Sequence, residues 1–168
     1  EFVITVASEL MTIFCVAVDE TDFINRVNNV ICAYTKEGKP VYIGDFHIGD
    51  AVLKMMKTAL NPNLVQTLEE NPVLVHGGPF ANISIGVNTI NATKLALKLS
   101  PVVITEAGFG ADLGAEKFLD IKCQLAGLAP SAIVLVASIR ALKLHGGMPF
   151  EQLTTENLEA LKAGTPNL

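Results

Sequence analysis

Val102-Val-Ile-Thr-Glu-Ala-Gly-Phe-Gly-Ala-Asp-Leu-Gly-Ala-Glu-Lys-Phe118 holds the folding pattern of this chain in miniature. An apolar run, Val102 to Ile104, stops at a turn carrying Gly108, Gly110 and Gly114, and a helical stretch with Glu116, Lys117 and Phe118 follows. Glycine lets the backbone turn sharply and come close to a ligand, and the next helix offers unpaired N–H groups at its start. A strand, turn and helix in this order can cradle an anion, most often a phosphate. Alone, such a turn serves structure as readily as a ligand. It is not the G-x-G-x-x-G dinucleotide fingerprint, because three residues separate Gly110 from Gly114, and Ala137 and Ser138 stand where an acidic residue would end the next strand.

Outward from this segment the chain alternates. Leu64 to Leu68, Val73 to Val75, Val102 to Thr105 and Ala132 to Ala137 read as strands. Helices are expected over 88–99, 112–126 and 155–163, the last stopped by Gly164. Strands alternating with helices imply parallel βαβ units, so the fold class is α/β: a layered, mostly parallel sheet with flanking helices. Upstream the pattern differs. Thr5 is placed to cap a helix over 6–18, Asp19 or Thr21 a second over 22–31. Ala33 to Thr35 and Val41 to Ile43 flank Lys36-Glu-Gly-Lys-Pro40 as a small hairpin turning at Gly38, and 48–58 reads as a helix with Ala51, Val52, Met55 and Met56 inward. The change near Asn61 suggests a helical and hairpin subdomain over 1–60 and an α/β sheet portion over 61–168.

Half of the 168 residues are hydrophobic, and mean hydropathy is +0.43. Parallel strands buried on both faces are apolar throughout, and missing chain covering part of the surface would add to this. The apolar run from Ala132 to Ala137 is far short of the ~20 residues of a spanning helix, and the hydrophobic start is broken by Ser8 and Glu9 without a basic leader. Neither a membrane nor a signal peptide is expected. A net charge of −5 with dispersed Lys and Arg argues against nucleic acid. Cys15, Cys32 and Cys123 have no metal-like spacing and sit among apolar neighbours, which reads as buried thiols in a reducing cytoplasm. No metal site is expected.

Several strand ends carry chemistry. His76-Gly77-Gly78-Pro79-Phe80-Ala81-Asn82 runs from a strand into glycines with an imidazole and an amide close by. It is either a tight turn with His76 bonded to backbone, or, with Asn82 and Phe109, part of a pocket along one sheet edge. Beyond the strand over 132–137 come Ser138, Arg140, Lys143 and His145. Arg140 and Lys143 either offer positive charge to phosphate or carboxylate, or are solvated on an element's last turn. His47 reads as an ordinary loop histidine. No G-x-x-x-x-G-K-[ST] phosphate loop occurs, nor any zinc spacing or supportable Ser-His-Asp set.

Taken with Val136-Ala-Ser-Ile-Arg-Ala-Leu-Lys-Leu-His-Gly-Gly147 and His76-Gly-Gly-Pro-Phe-Ala-Asn-Ile83, the glycine segment closely resembles the formate–tetrahydrofolate ligase family. The resemblance runs from Thr5-Val-Ala-Ser-Glu9 to Glu156-Asn-Leu-Glu-Ala160. Members of that family are several times longer, so the chain looks like an internal segment. The resemblance implies part of a larger P-loop NTPase-like fold, with the phosphate loop upstream and the folate-stacking residues mostly downstream. It implies a cytoplasmic homotetramer that uses ATP, with Mg2+ and a monovalent cation (K+ or NH4+), to join formate to tetrahydrofolate through formyl phosphate. The fragment itself is expected to be inactive. Residue by residue, it implies Arg140 as a catalytic group countering charge on the acyl phosphate, and Thr5, His76, Asn82, Gly108, Phe109, Gly110 and Lys143 around the substrate and nucleotide pocket. Where the family is expected to read Ala-His-Gly-Cys-Asn, this chain has Ser84-Ile-Gly-Val-Asn88, so Ile85 and Val87 are expected to be packing residues.

Two other readings compete with it. One is a nicotinamide-dependent oxidoreductase domain, resting on the glycine turn alone. The other is a non-catalytic module whose apolar surface binds a partner chain.

Overall fold

The computed structural model describes residues 7–78, 85, 87–108 and 110–168. Two compact units divide the chain, residues 1–129 and residues 130–168.

In the first unit, α1 (Glu9–Val16) begins where Ser8 accepts from the Met11 N–H at 3.1 Å, so the helix starts at a serine cap and not at Thr5, which lies outside the described residues. Asp19 caps α2 (Glu20–Asn28) through the Asp22 N–H at 2.8 Å. That helix stops earlier than its sequence suggests because Ile31 already belongs to β1 (Ile31–Tyr34), which pairs antiparallel with β2 (Pro40–Tyr42). Gly38 makes the turn at φ +76, in the left-handed region that glycine enters freely. A short 3-10 turn (Ile43–Phe46) leads to α3 (Gly49–Met56). Of the face expected inward, Val52 and Met56 pack on the core, whereas Ala51 is exposed and Met55 is 84% exposed. Ala51 and Met55 form the neighbouring i,i+4 stripe, and the core covers only one of the two.

β3 (Asn63–Gln66) and β4 (Pro72–Val75) pair antiparallel in the register Asn63↔Val75 to Gln66↔Pro72. These were the first two strands of the expected parallel sheet. Their connection, closed by Thr67 N–H to Asn71 O at 2.9 Å, is too short for a crossover and makes them a hairpin. Leu68, expected to end the strand, sits fully exposed in that turn. Residues 102–105 and 132–137 are not strands, and among the described residues there is no large parallel sheet. The architecture is therefore mixed α/β, with helices and two small antiparallel hairpins. Thr89 caps α4 (Ile90–Leu99). Residues 110–126 are helical, mostly in wide π turns (Gly110–Ala115 and Phe118–Cys123) closing in α5 (Gln124–Ala126), with Gly127 left-handed at the end. The core gathers Phe14, Cys15, Phe23, Val27 and Ile90, and Ile85 and Val87 are packed into it as expected.

The second unit pairs α6 (Ile139–His145) with α7 (Leu158–Gly164), capped by Ser138 and Asn157. Gly164 is the last helical residue rather than a stop beyond it, and a 3-10 turn (Thr165–Asn167) continues from it. Met148, Leu153 and Ala160 form its small core. Among the described residues no helix is long and apolar enough to cross a membrane. Of the thiols expected to be buried, Cys15 and Cys123 are, but Cys32 is exposed, because the β1 strand that carries it is open on both faces.

Candidate functional site

His76 leaves the end of β4 and turns inward, with 6% of its surface exposed. Its Nε2 lies 2.7 Å from the Ala59 carbonyl and its Nδ1 2.6 Å from Thr89 Oγ1. A carbonyl only accepts, so Nε2 carries a hydrogen, and in the tautomer with that single ring hydrogen the Thr89 hydroxyl donates to Nδ1. The same Thr89 oxygen accepts from the Ala92 N–H at 3.1 Å, so one hydroxyl caps α4 and fixes the imidazole. Phe14 meets the ring edge-on, with centroids 4.8 Å apart. Asn88 Nδ2 donates to Leu74 O at 3.0 Å, tying the start of α4 to β4.

Above His76 opens a cavity of about 630 Å3, walled by Met11, Phe14, Met55, Asn61, Asn63 and the glycines Gly77 and Gly78. Gly77 has φ +77, so the chain leaves the strand in a conformation that a side chain resists. The Gly78 N–H points at the Cys15 thiol. His76 and Gly78 are thus gripped from beneath, one by Thr89 and Ala59, the other by Cys15.

Beneath this turn lies a buried cation that the sequence did not disclose. Lys122 is 0% exposed; its Nζ donates to Thr93 Oγ1 at 2.7 Å and sits 5.4 Å from the Phe118 ring. Thr93 Oγ1 in turn donates to the Thr89 carbonyl at 3.1 Å. Burial lowers the Lys122 pKa from its ordinary 10.5 to about 8, opposed in part by the nearby Cys123 and Cys15. Burial likewise pushes the Cys15 thiol up to about 11, against the Gly78 N–H and the Lys122 charge. The sequence signal was available in part: Thr89 and Thr93 are one helical turn apart, and Lys122 stands between Ile121 and Cys123.

The glycine turn is compact. A Cβ on Gly114 would fall 1.6 Å from the Ala107 carbonyl oxygen, so the helical start folds back onto the segment leading into it. Gly108 and Gly110 have φ +76 and +75 and are exposed. Phe109 and Asn82 lie outside the described residues. In the first unit the structure therefore places His76, Gly108 and Gly110.

Arg140 and Lys143 belong to the second unit. Arg140 is exposed and lines a hollow of about 450 Å3 with Phe150, Glu151 and Thr154. Lys143 is buried, and its Nζ donates to the Thr155 carbonyl at 2.6 Å, which ties α6 to the segment before α7. Among the described residues no group of three or more His, Cys, Asp or Glu is arranged to hold a metal ion.

A family model described as formate–tetrahydrofolate ligase matches residues 1–168. A curated protein of that name from Granulibacter bethesdensis is 56% identical over 167 residues, covering 99% of this chain and 29% of the relative. One from Latilactobacillus sakei subsp. sakei is 59% identical over 167 residues, covering 99% of this chain and 30% of the relative. The chain spans under a third of the length of the curated relatives it matches.

Proposed function

We propose, from the premise that this chain belongs to the formate–tetrahydrofolate ligase family, that it is a segment of an ATP-dependent ligase making 10-formyltetrahydrofolate. The observation that carries the reading is the match along the whole chain at 56% and 59% identity. In this reaction a formate oxygen attacks the γ-phosphorus of ATP, ADP leaves, and formyl phosphate forms. N10 of tetrahydrofolate then attacks the formyl carbon, loses its proton, and phosphate leaves.

Both steps gather negative charge around an acyl phosphate, which calls for cations and backbone N–H groups fixed in advance. Arg140, exposed beside an open hollow, supplies such a cation, and Lys143, whose ammonium is held by Thr155, orders the helix that presents it. The turns at His76 and Gly108 to Gly110 border the pocket, with Asn82, Phe109 and Thr5 assigned to it through the family resemblance. Mg2+ and a monovalent cation serve the proposed reaction in the full-length protein. The ATP phosphate loop and the folate-stacking residues fall to chain outside this segment, as the family resemblance implies. Residues 61–168 would then join a larger parallel, P-loop NTPase-like sheet, with 1–60 as a helical and hairpin portion. The exposed apolar segments Val102 to Ile104 and Ile133 to Val136 are suited to be its strands. A cytoplasmic homotetramer completes the proposal, and the segment alone has no ligase activity.

The test uses the uninterrupted natural protein containing these residues. ATP-, formate- and tetrahydrofolate-dependent formation of 10-formyltetrahydrofolate is compared in wild type, Phe109→Ala and Arg140→Ala. Activity that falls in either variant supports the reading. A well-folded wild type without activity overturns it.

A further inference from the structure

Lys122 does not line the cavity above His76, yet hydrogen bonds joined through Thr89 connect it to that wall. From Nζ the path runs to Thr93 Oγ1 at 2.7 Å and from that hydroxyl to the Thr89 carbonyl at 3.1 Å. Thr89 Oγ1 then reaches His76 Nδ1 at 2.6 Å, and Nε2 ends the path on Ala59 O at 2.7 Å. Every buried side-chain polar atom among the described residues has a partner. The path links the wide-turned helix after the glycine segment, the first turn of α4 and the residue at which β4 opens into Gly77 and Gly78.

We propose that Lys122 is a positioning residue for the His76–Gly78 turn, setting through Thr93 and Thr89 the ring orientation and the backbone that face the cavity. The proposal rests on the ligase reading for what the cavity binds, but not for the path itself. A buried ammonium is costly to keep unless its donors are used. Here the donor fixes the Thr93 rotamer: an ammonium has no lone pair, so the Thr93 oxygen must accept from Lys122 and its hydrogen must go to the Thr89 carbonyl. That leaves the Thr89 side chain to serve Ala92 and His76 alone. The ionisable groups facing Lys122 are Cys15 from α1 and Cys123 beside it in sequence. The Cys15 thiol is also where the Gly78 N–H points, so the Gly78 end of the turn meets a group that faces the same lysine, and the His76 end is reached through Thr93 and Thr89.

The experiment compares Lys122→Met, Thr93→Val and the double variant in the full-length protein. Methionine keeps the volume and removes the donor, and replacing a buried ionic group by an apolar one of similar size is often tolerated. Carbethoxylation of His76 by diethylpyrocarbonate, followed by peptide mass spectrometry, gives a readout independent of activity, with His47 and His145 as references in the same molecule. Wild-type His76 should react slowly, with both ring nitrogens engaged. Either variant should speed His76 severalfold with the two references unchanged. In parallel, kcat/KM for the ligase reaction should fall about tenfold or more, as misplacement of a site by a fraction of an ångström costs. The double variant should be no worse than the poorer single one, because both interrupt one path. Unchanged His76 reactivity, a rise shared by all three histidines, or multiplying effects in the double variant would each overturn the proposal. A wild type with no ligase activity removes the functional reading, and His76 reactivity still decides the positioning role.

Discussion

Lys122 Nζ lies 2.7 Å from Thr93 Oγ1 with the whole lysine side chain closed off from solvent. The ammonium has a hydrogen-bond partner, but the ionisable groups that face it are the thiols of Cys15 and Cys123 rather than a carboxylate. Its charge is therefore disfavoured in the folded state, and stability depends on pH in a definite direction.

The folded pKa of Lys122 is about 8 against 10.5 unfolded, so between these values the unfolded chain binds more protons and stability rises with pH. The whole effect is about 3 kcal/mol. Cys15 runs the other way. Its folded pKa is about 11 against 9.0, so the folded state keeps a proton the unfolded chain loses, and stability falls above pH 9. Cys123 is shifted upward by burial as well. Lys122 alone predicts a rise of about 1 kcal/mol from pH 8 to 9, and the two cysteines offset part of it and turn it into a plateau or decline above pH 9. Denaturant midpoints across this range check it. Lys122→Met should abolish the rise, and Cys15→Ala should extend it past pH 9. A wild-type midpoint that stays flat from pH 8 to 9 would show the lysine is not titrating as described.

Thr89 caps α4 and donates to His76, so its hydroxyl serves two buried groups at once. Thr89→Val should destabilise the first unit by about 2–4 kcal/mol, combining a lost cap with an imidazole nitrogen left without its donor. Thr89→Ser keeps the oxygen and should stay within about 1 kcal/mol of wild type, the cost of one lost methyl group. Equal losses in the two variants would mean that the methyl group, not the hydroxyl, matters here.

Some caps and turns of the first unit were legible in sequence because each is a local decision, although α1 is capped by Ser8 where Thr5 was expected. Asp19 before an amphipathic run and Gly38 between two short strands each state their role through immediate neighbours, whereas Ile85 and Val87 were read as packing residues through the family resemblance. Strand direction was not legible. An apolar run such as Val73 to Val75 fits a parallel or an antiparallel ladder equally well, and the short turn at Thr67 to Asn71 settled it. Val102 to Ile104 and Ile133 to Val136 kept the apolarity of strands without a ladder to join, since a strand depends on a partner that local sequence does not specify. The buried path from Lys122 to His76 was hidden for a related reason: it joins residues 46 positions apart through a helix between them. A lysine read alone belongs on the surface.

Cys32 offers a direct check on thiol environment. It is exposed on β1, whereas Cys15 and Cys123 are buried and held protonated by burial. Alkylation reacts through the thiolate and needs access. Iodoacetamide at pH 8 should therefore modify Cys32 first, with Cys15 and Cys123 reacting only as the unit opens, and peptide mapping over time reads the order. Simultaneous labelling of all three would contradict the packing around α1 and the wide-turned helix.

In the second unit, α6 and α7 meet through bare backbone. A Cβ on Gly146 would lie 1.8 Å from the Ala160 carbonyl oxygen, and one on Gly164 would lie 1.8 Å from the Leu142 carbonyl oxygen. Gly164 is helical, so propensity alone would make alanine there better by up to about 1 kcal/mol. Contact outweighs propensity, because neither carbonyl is a flexible side-chain end that can swing away. Gly146→Ala and Gly164→Ala should each cost about 1–3 kcal/mol, the usual penalty for overpacking. Gly147 is the control: its φ is +88 and nothing lies within 4 Å of a Cβ there, so Gly147→Ala carries only backbone strain. That strain is about 1–2 kcal/mol and should leave the helix contact intact. Hydrogen exchange distinguishes the cases, since parting the helices exposes amides in both α6 and α7, while strain at Gly147 is confined to its own turn. Once one alanine has forced the helices apart, the second should cost less than it does alone, so the double variant should be less damaged than the two single losses combined. Full additivity would mean that the two glycines do not share one contact.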